Sequence, residues 1–246
     1  MPSRKNCEWF NKWFDSPYYH ILYKNRNENE AELFIDNLSK KINFPAQARV
    51  VDIACGRGRH AIYLNRKGFE VTGIDVAEES IRYAKQFEND TLNFSVHDMR
   101  RPFVTNYYDV ALNLFTSIGY FKTEHENERA IKTMYLALKK NGIVVIDFFN
   151  SNLILNRLLA AEEKTIDGIK FEIKKQVINK RIVKNIDFST DGQTCHFTEE
   201  VQALTLTDFE NYFKTVGFRL SNTFGDYSLN EFNPEKSERL IVVGIK

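Results

Sequence analysis

Three aspartates recur at a fixed interval in the first hundred residues. Asp52, Asp75 and Asp98 are separated by 23 residues each time, and each closes a short apolar run: RVVDIA, FEVTGID and LNFSVHD. Between the first two lies a glycine turn, in the stretch VVDIACGRGRHAIYL at residues 50–64. A glycine turn between a strand and a helix brings a ligand against bare backbone, next to free N–H groups and a partial positive charge. GRGRHA satisfies G-x-G-x-x-G/A, and Asp75 lies 19 residues after Gly56. That is the spacing of the ribose-binding acid in a nicotinamide-dinucleotide site. Asp52 points elsewhere. It stands four residues before Gly56, where a carboxylate would repel a pyrophosphate and suit an ammonium group.

The elements that must position these residues alternate. Apolar runs at 49–54, 69–75, 92–98, 107–115 and 143–149 read as buried parallel strands, with helical patterns between them. The helix over 124–139 is expected to end in KKNG, with Gly142 as its cap. Strand–helix alternation of this kind means a doubly wound α/β sheet. The rhythm breaks after the fifth strand. Residues 162–203 alternate apolar and polar, with turn signals at Gly168 and Asp191-Gly192, and predict two to four antiparallel strands. LTLTDFENYFKTVGF restores a helix, with Thr207 as N-cap and Gly217 as its end, and two strands at 218–224 and 238–245 close the chain. The first 45 residues read as helical, with Trp9, Phe10, Trp13 and Phe14 on one face, Phe34, Ile35 and Leu38 on a second stripe, and Pro17 breaking between them. The expected organisation is therefore one domain over 1–246. It has a helical cap (1–45), a Rossmann-like core (46–161 and 204–246) and an antiparallel β insert (162–203).

The carboxyl ends of parallel strands line one crevice, so all three acids can face one ligand. A ligand that needs partners for an ammonium group, a ribose diol and an adenine amine is S-adenosylmethionine. With these residues the sequence resembles the class I S-adenosylmethionine-dependent methyltransferases, of the small-molecule type whose first motif reads DxxCGxGRHA. The resemblance covers residues 45–150 and extends to the terminal helix and strand pair. It implies a mostly parallel seven-stranded sheet with a reversed C-terminal hairpin. It also implies roles. Asp52, Ala54, Cys55 and Gly56 would wrap the methionine part of the cofactor, with Gly58 keeping the turn compact. Asp75 would accept from both ribose hydroxyls, with Val76 against the adenine. Asp98 would accept from the adenine amine, with Met99 beside it. Asn113, Leu114 and Phe115 would lie beneath the sulfonium. SPYYHILYKNR resembles the helix that closes over the cofactor in these enzymes, with Tyr23 and Arg26 as contacts for the methionine carboxylate. Ala54 departs from the glycine usual in the family.

No residue identifies itself as catalytic. Tyr18, Tyr19, His20 and Tyr120 are candidate bases only because their segments are expected over the cofactor. Cys55 reads as a small packing residue and His60 as a packing or capping residue. The expected acceptor is a small molecule. The lysines of the insert, Lys170, Lys174, Lys175, Lys180 and Lys184, leave RNA or protein as the alternative, and GRGRHA alone leaves an NAD(P)-binding oxidoreductase. Strand four ends NLFT, without the Asn-Pro-Pro-aromatic motif of adenine-amine methylases, and Cys195 lies in the insert, far from the motif strands. The 246 residues are 43% hydrophobic and 27% charged with net charge +1, an ordinary globular balance with no global pull toward nucleic acid or membrane. The longest apolar runs are too short to span a bilayer. The opening MPSRKNCEWF lacks a secretory core, and Cys7, Cys55 and Cys195 have no metal or disulfide spacing, so no metal and a cytoplasmic location are expected. Oligomeric state is not encoded in any motif.

Overall fold

The computed structural model of the chain describes residues 9–24, 28–156, 161–190 and 192–246. Three helices come first: α1 (Trp9–Phe14), α2 (Pro17–Leu22) and α3 (Glu28–Lys41). Pro17 starts α2 instead of only breaking the pattern. Its missing N–H costs nothing at the first helical position, and the Ser16 hydroxyl accepts from the Tyr18 N–H at 3.2 Å. The alternating region follows as β1 (Arg49–Ile53), α4 (Arg59–Arg66), β2 (Glu70–Asp75), α5 (Glu78–Ala84), β3 (Leu92–Val96), β4 (Tyr108–Asn113), α6 (Glu124–Ala137), β5 (Leu138–Phe149) and α7 (Ser151–Asn156). Then come β6 (Ala161–Ile166), β7 (Ile169–Ile178), β8 (Arg181–Thr190), β9 (Gln193–Gln202), α8 (Leu206–Val216), β10 (Arg219–Phe224) and β11 (Arg239–Ile245).

Seven strands form one sheet in the order β10-β11-β5-β4-β1-β2-β3. β1 to β5 pair in parallel, and β11 runs antiparallel to both β5 and β10. This is the doubly wound sheet with a reversed terminal hairpin. Its strand order reverses between β1 and β4, the place where open α/β sheets bind ligands. Apolar clusters cover both faces. One gathers Ile131, Met134, Phe209 and Phe213 from α6 and α8, and the other gathers Phe34, Leu38, Leu64 and Ile81 from α3, α4 and α5. The stripe on α3 therefore belongs to the core and not to a cap over the strand ends.

The insert is a separate four-stranded antiparallel sheet, β6-β7-β8-β9. Two of its hairpins turn tightly through pairs of left-handed residues: Asp167-Gly168 at φ 47° and 80°, and Asn179-Lys180 at φ 49° and 60°. The second turn carries no glycine, and so gave no signal in the sequence. The sheet buries Phe171, Ile173, Ile186 and Phe188 against Trp13 and Leu22 of α1 and α2. Two helix ends differ from expectation. α6 stops at Ala137, and Gly142 lies inside β5. The left-handed turn there falls on Asn141 (φ 63°), and a register shift follows as β5 settles against β4. α8 is capped by Thr205, not Thr207, because Asp208 three residues on completes a capping box with Thr205.

Candidate functional site

A cavity of about 520 Å³ opens at the carboxyl ends of β1, β2 and β4, with α1, α2 and the loop after β4 on its other side. Its wall includes Tyr23, Ala54, Cys55, Gly56, Asp75, Val76, Asp98, Met99, Leu114 and Phe115. Asp52, Gly58 and Asn113 lie behind that wall, at 1% or less exposure for Asp52 and Asn113. Arg26 lies outside the described residues.

The glycine turn is built from three left-handed residues, Ala54 (φ 60°), Gly56 (φ 54°) and Gly58 (φ 82°). Alanine is strained in that region, which is the physical reason glycine is usual at its position. The turn is closed by the Cys55 N–H on the Ile74 carbonyl (3.0 Å) and the Gly58 N–H on the Cys55 carbonyl (2.9 Å). The two glycines have different reasons. A Cβ on Gly56 would meet nothing within 4 Å, since it faces open space, whereas one on Gly58 would sit 2.6 Å from the Phe94 ring. Gly58 thus lets α4 lie close on β3.

The three acids have three different environments. Asp75 accepts the Gly56 N–H and the Ala77 N–H, both at 2.8 Å, so it ties the glycine turn to the start of α5. Burial pushes its carboxyl pKa up, and those N–H groups hold the rise back. Asp98 sits two residues beyond β3. Burial pushes its pKa up too, but Arg100 outweighs that and holds it below the ordinary range. The Arg100 guanidinium donates to both Asp98 oxygens and also to Glu126 at 2.7 Å. Asp52 is buried inside β1, and burial followed by the charge of Asp75 pushes its pKa up to about 7. Its Oδ2 atom has no hydrogen-bond partner among the described residues. The carboxylate expected to suit the ligand's ammonium group is therefore one layer beneath the wall.

The end of β4 supplies the floor. Asn113 donates to the Ile53 carbonyl at 2.9 Å, bracing β4 on β1. The Phe115 ring lies 5.1 Å from the His60 ring and 5.2 Å from Tyr227, with the Arg59 guanidinium 4.1 Å above it. His60 is buried, and its Nε2 has no partner among the described residues. Burial, then Arg59, push its pKa well below the ordinary value, so the imidazole is neutral. Burial pushes the Cys55 thiol well up, which excludes an activated thiolate.

The opposite wall is aromatic. Phe10, Phe14, Tyr19, Tyr120 and Phe121 line it, together with His20. Burial, then Arg57, lower the His20 pKa to about 4. Tyr18 points away and packs on Phe188 at 4.7 Å. The Tyr23 hydroxyl donates to Glu199 at 2.7 Å, Trp13 Nε1 donates to the same carboxylate at 2.6 Å, and Lys184 donates to the Tyr23 oxygen. Lys184 and Glu199 face each other across β8 and β9, 3.3 Å apart and mostly buried. Sequence reasoning missed Glu199, as well as Asp147 of β5 and Arg239 of β11 behind the floor. Only the pairing of distant strands makes them visible.

Residues 50–142 match the family model described as a methyltransferase domain. The chain is 28% identical over 213 residues to YqeM of Bacillus subtilis (strain 168), which carries a provisional methyltransferase name, covering 80% of this chain and 84% of that one. The chain is an S-adenosylmethionine-dependent methyltransferase with the class I fold. The fold of an S-adenosylmethionine-dependent methyltransferase from Clostridium acetobutylicum ATCC 824 superposes with a TM-score of 0.78 at 18% identity, over 93% of this chain and 95% of that one. The chain is also 21% identical over 215 residues to the dTDP-3-amino-3,4,6-trideoxy-alpha-D-glucopyranose N,N-dimethyltransferase of Streptomyces venezuelae, covering 82% of this chain and 89% of that one. The cofactor is thus S-adenosylmethionine, and a dinucleotide oxidoreductase is set aside. The methyltransferase site fits that ligand at Gly56, whose Cα faces open space, and at Asp75 on the same wall. No helix among the described residues is long and apolar enough to cross a membrane.

Proposed function

We propose that the methyltransferase acts on the nitrogen of a small-molecule amine, and that α1 and α2, backed by the insert, close the acceptor end of the cavity. The observation that carries this reading is the cavity itself. At about 520 Å³ it falls in the range of about 300–1,000 Å³ typical of small-ligand sites, and aromatic side chains of α1 and α2 line the side opposite the cofactor turn. The bound cofactor supplies an activated methyl group on a sulfonium. The chain's residues hold the two partners in line and exclude water, an effect that can supply about 7–11 kcal/mol of the barrier.

In this reading Ala54, Cys55 and Gly56 wrap the methionine part, Asp75 takes the ribose hydroxyls, Val76 and Met99 flank the adenine, and Leu114 and Phe115 lie beneath the sulfonium. Tyr23 reaches the cofactor from the cap. Asp52, Gly58 and Asn113 support this shell from behind. Asp98 acts on the adenine edge while anchored by Arg100. Amine chemistry is favoured over hydroxyl chemistry by the bases on offer. Of the three imidazoles on the cavity wall, His20 and His60 have lowered pKa values, His20 at about 4, too weak to draw a proton from a hydroxyl, and His97 stands beside Asp98 at the adenine end, its Nε2 on the Arg101 carbonyl at 2.8 Å. A neutral amine needs no such base. The N,N-dimethyltransferase relative named above acts on an amino sugar, which supports the same class.

The lysines that motivated an RNA acceptor are largely paired within the insert. Lys170 meets Glu163 at 3.0 Å, Lys175 meets Glu162 at 2.7 Å, and Lys184 is turned inward to Glu199. Calorimetry with S-adenosylhomocysteine and a panel of small amines tests the proposal. Asp75→Ala should weaken S-adenosylhomocysteine binding by about 1.5–3 kcal/mol per charged hydrogen bond lost. Unchanged affinity would break the site assignment. Turnover with an RNA or a protein, and with no amine in the panel, would move the acceptor to the other class.

A further inference from the structure

The loop after β4 holds two consecutive non-glycine residues in the left-handed region, Phe115 and Thr116, both at φ 61°. Both line the cavity. A β-branched residue there is an outlier, and such strain persists only where the surroundings over-determine it. Here they do. Asp147, completely buried in β5, accepts the Phe115 N–H on Oδ2 at 2.8 Å, and its own carbonyl accepts the Thr116 N–H at 2.9 Å. Arg239 at the start of β11 pairs with Asp147 Oδ1 at 2.8 Å. A second arm of the same guanidinium donates to Thr116 Oγ1 at 3.1 Å, and the Phe149 N–H donates to that oxygen at 3.2 Å. Tyr227 donates to Asp147 Oδ2 at 3.3 Å while its ring packs on Phe115.

We infer that Asp147 and Arg239 are positioning residues for methyl transfer: their buried ion pair holds the Phe115–Thr116 corner in its left-handed form and so fixes the Phe115 ring on the cavity floor. The inference rests on the reading of Phe115 as a cofactor neighbour. The alternative is that the pair only stabilises the junction of β5 and β11. The two differ in what a relaxed backbone does. Glycine adopts the left-handed conformation without strain, so Thr116→Gly compensates for a lost clamp only if the clamp's task is to hold that conformation.

Titration calorimetry with S-adenosylhomocysteine on the full-length wild type, D147N, R239K and each combined with T116G tests this, with thermal melts on the same set. D147N is expected to bind at least 10-fold more weakly. R239K, which keeps the charge but loses the forked reach to Thr116, is expected to bind about 3-fold more weakly. T116G should recover at least half of either loss on a logarithmic scale. It should also raise the thermal midpoint more in the D147N and R239K backgrounds than in the wild type, a comparison that needs no ligand. Wild-type affinity in a folded D147N or R239K, or losses that T116G does not recover, would overturn the inference, as would equal effects of T116G on the midpoint in every background. Failure of the cofactor reading has a separate signature, since D75A would then bind as the wild type.

Discussion

Replacing Asp52 by asparagine should change how stability depends on pH. The Asp52 side chain is 1% exposed, and burial followed by the negative charge of Asp75 raises its pKa from the ordinary 3.8 to about 7, against the pull of Arg59 and the Ala61 backbone. A carboxyl group with a raised pKa in the folded state keeps its proton while the unfolded chain has already released its own. Protons bound by the folded state then exceed those bound by the unfolded state between about pH 4 and pH 7, so stability falls as pH rises through that window. Raising a pKa from 3.8 to about 7, at about 1.4 kcal/mol per pH unit, gives a full effect of about 4 kcal/mol. Asparagine keeps the shape and removes the titration. Urea unfolding of the wild type and D52N, followed by tryptophan fluorescence from about pH 4.5 to pH 8, isolates the group, because carboxylates other than its coupled neighbour Asp75 contribute equally to both curves. D52N should gain on the wild type as pH rises, by about 1.4 kcal/mol per pH unit, and level off above pH 7. Parallel curves would refute the argument, and with it the placement of Asp52 as a buried, incompletely hydrogen-bonded acid.

Two glycine substitutions separate structure from site. Gly58→Ala places a Cβ 2.6 Å from the Phe94 ring at φ 82° and should cost about 1–3 kcal/mol in chemical denaturation. Gly56→Ala meets nothing within 4 Å, so it should cost only the left-handed strain of about 1–2 kcal/mol, less than Gly58→Ala, which adds the overlap to the same strain, while weakening S-adenosylhomocysteine binding at least 10-fold; the reverse ranking would exchange their assigned roles. Glu199→Ala leaves Lys184, Trp13 Nε1 and the Tyr23 hydroxyl without their shared acceptor. It should destabilise by about 3–5 kcal/mol, as loss of one partner of a buried pair does, and a loss under 1 kcal/mol would mean that water replaces the carboxylate.

Much of the sheet was legible because fully buried parallel strands leave an unbroken apolar signature. VVDIA and IVVIDFF could hardly be anything else. The α6–β5 boundary was not, since ALKKNG continues a helical pattern to a plausible glycine stop while the backbone has already become extended at Leu138. The glycine turn and Asp75 were readable from local spacing. Asp98 is readable too, although no local spacing shows that Arg100, two residues on, binds it. Asp147 is one more letter inside an apolar strand, and Glu199 is the first of two adjacent acids on β9. Their roles arise from contacts made across 32 residues to Phe115 and 176 residues to Tyr23, and no window along the chain contains both partners.

The joining of α1 to the insert has a consequence for biosynthesis. Trp13 and Glu199 meet across 186 residues of sequence. At about 5–20 residues per second, a ribosome needs roughly 10–40 s to travel that distance. For that time the indole ring of Trp13 exists without Phe171, Ile186 and Phe188, the residues that later cover it. The glycine turn and the acids of β1 to β3 are in the nascent chain long before the aromatic roof has its support. The order of translation thus leaves the earliest aromatic segment dependent on one of the latest strands, just as the Phe115–Thr116 corner waits for Arg239.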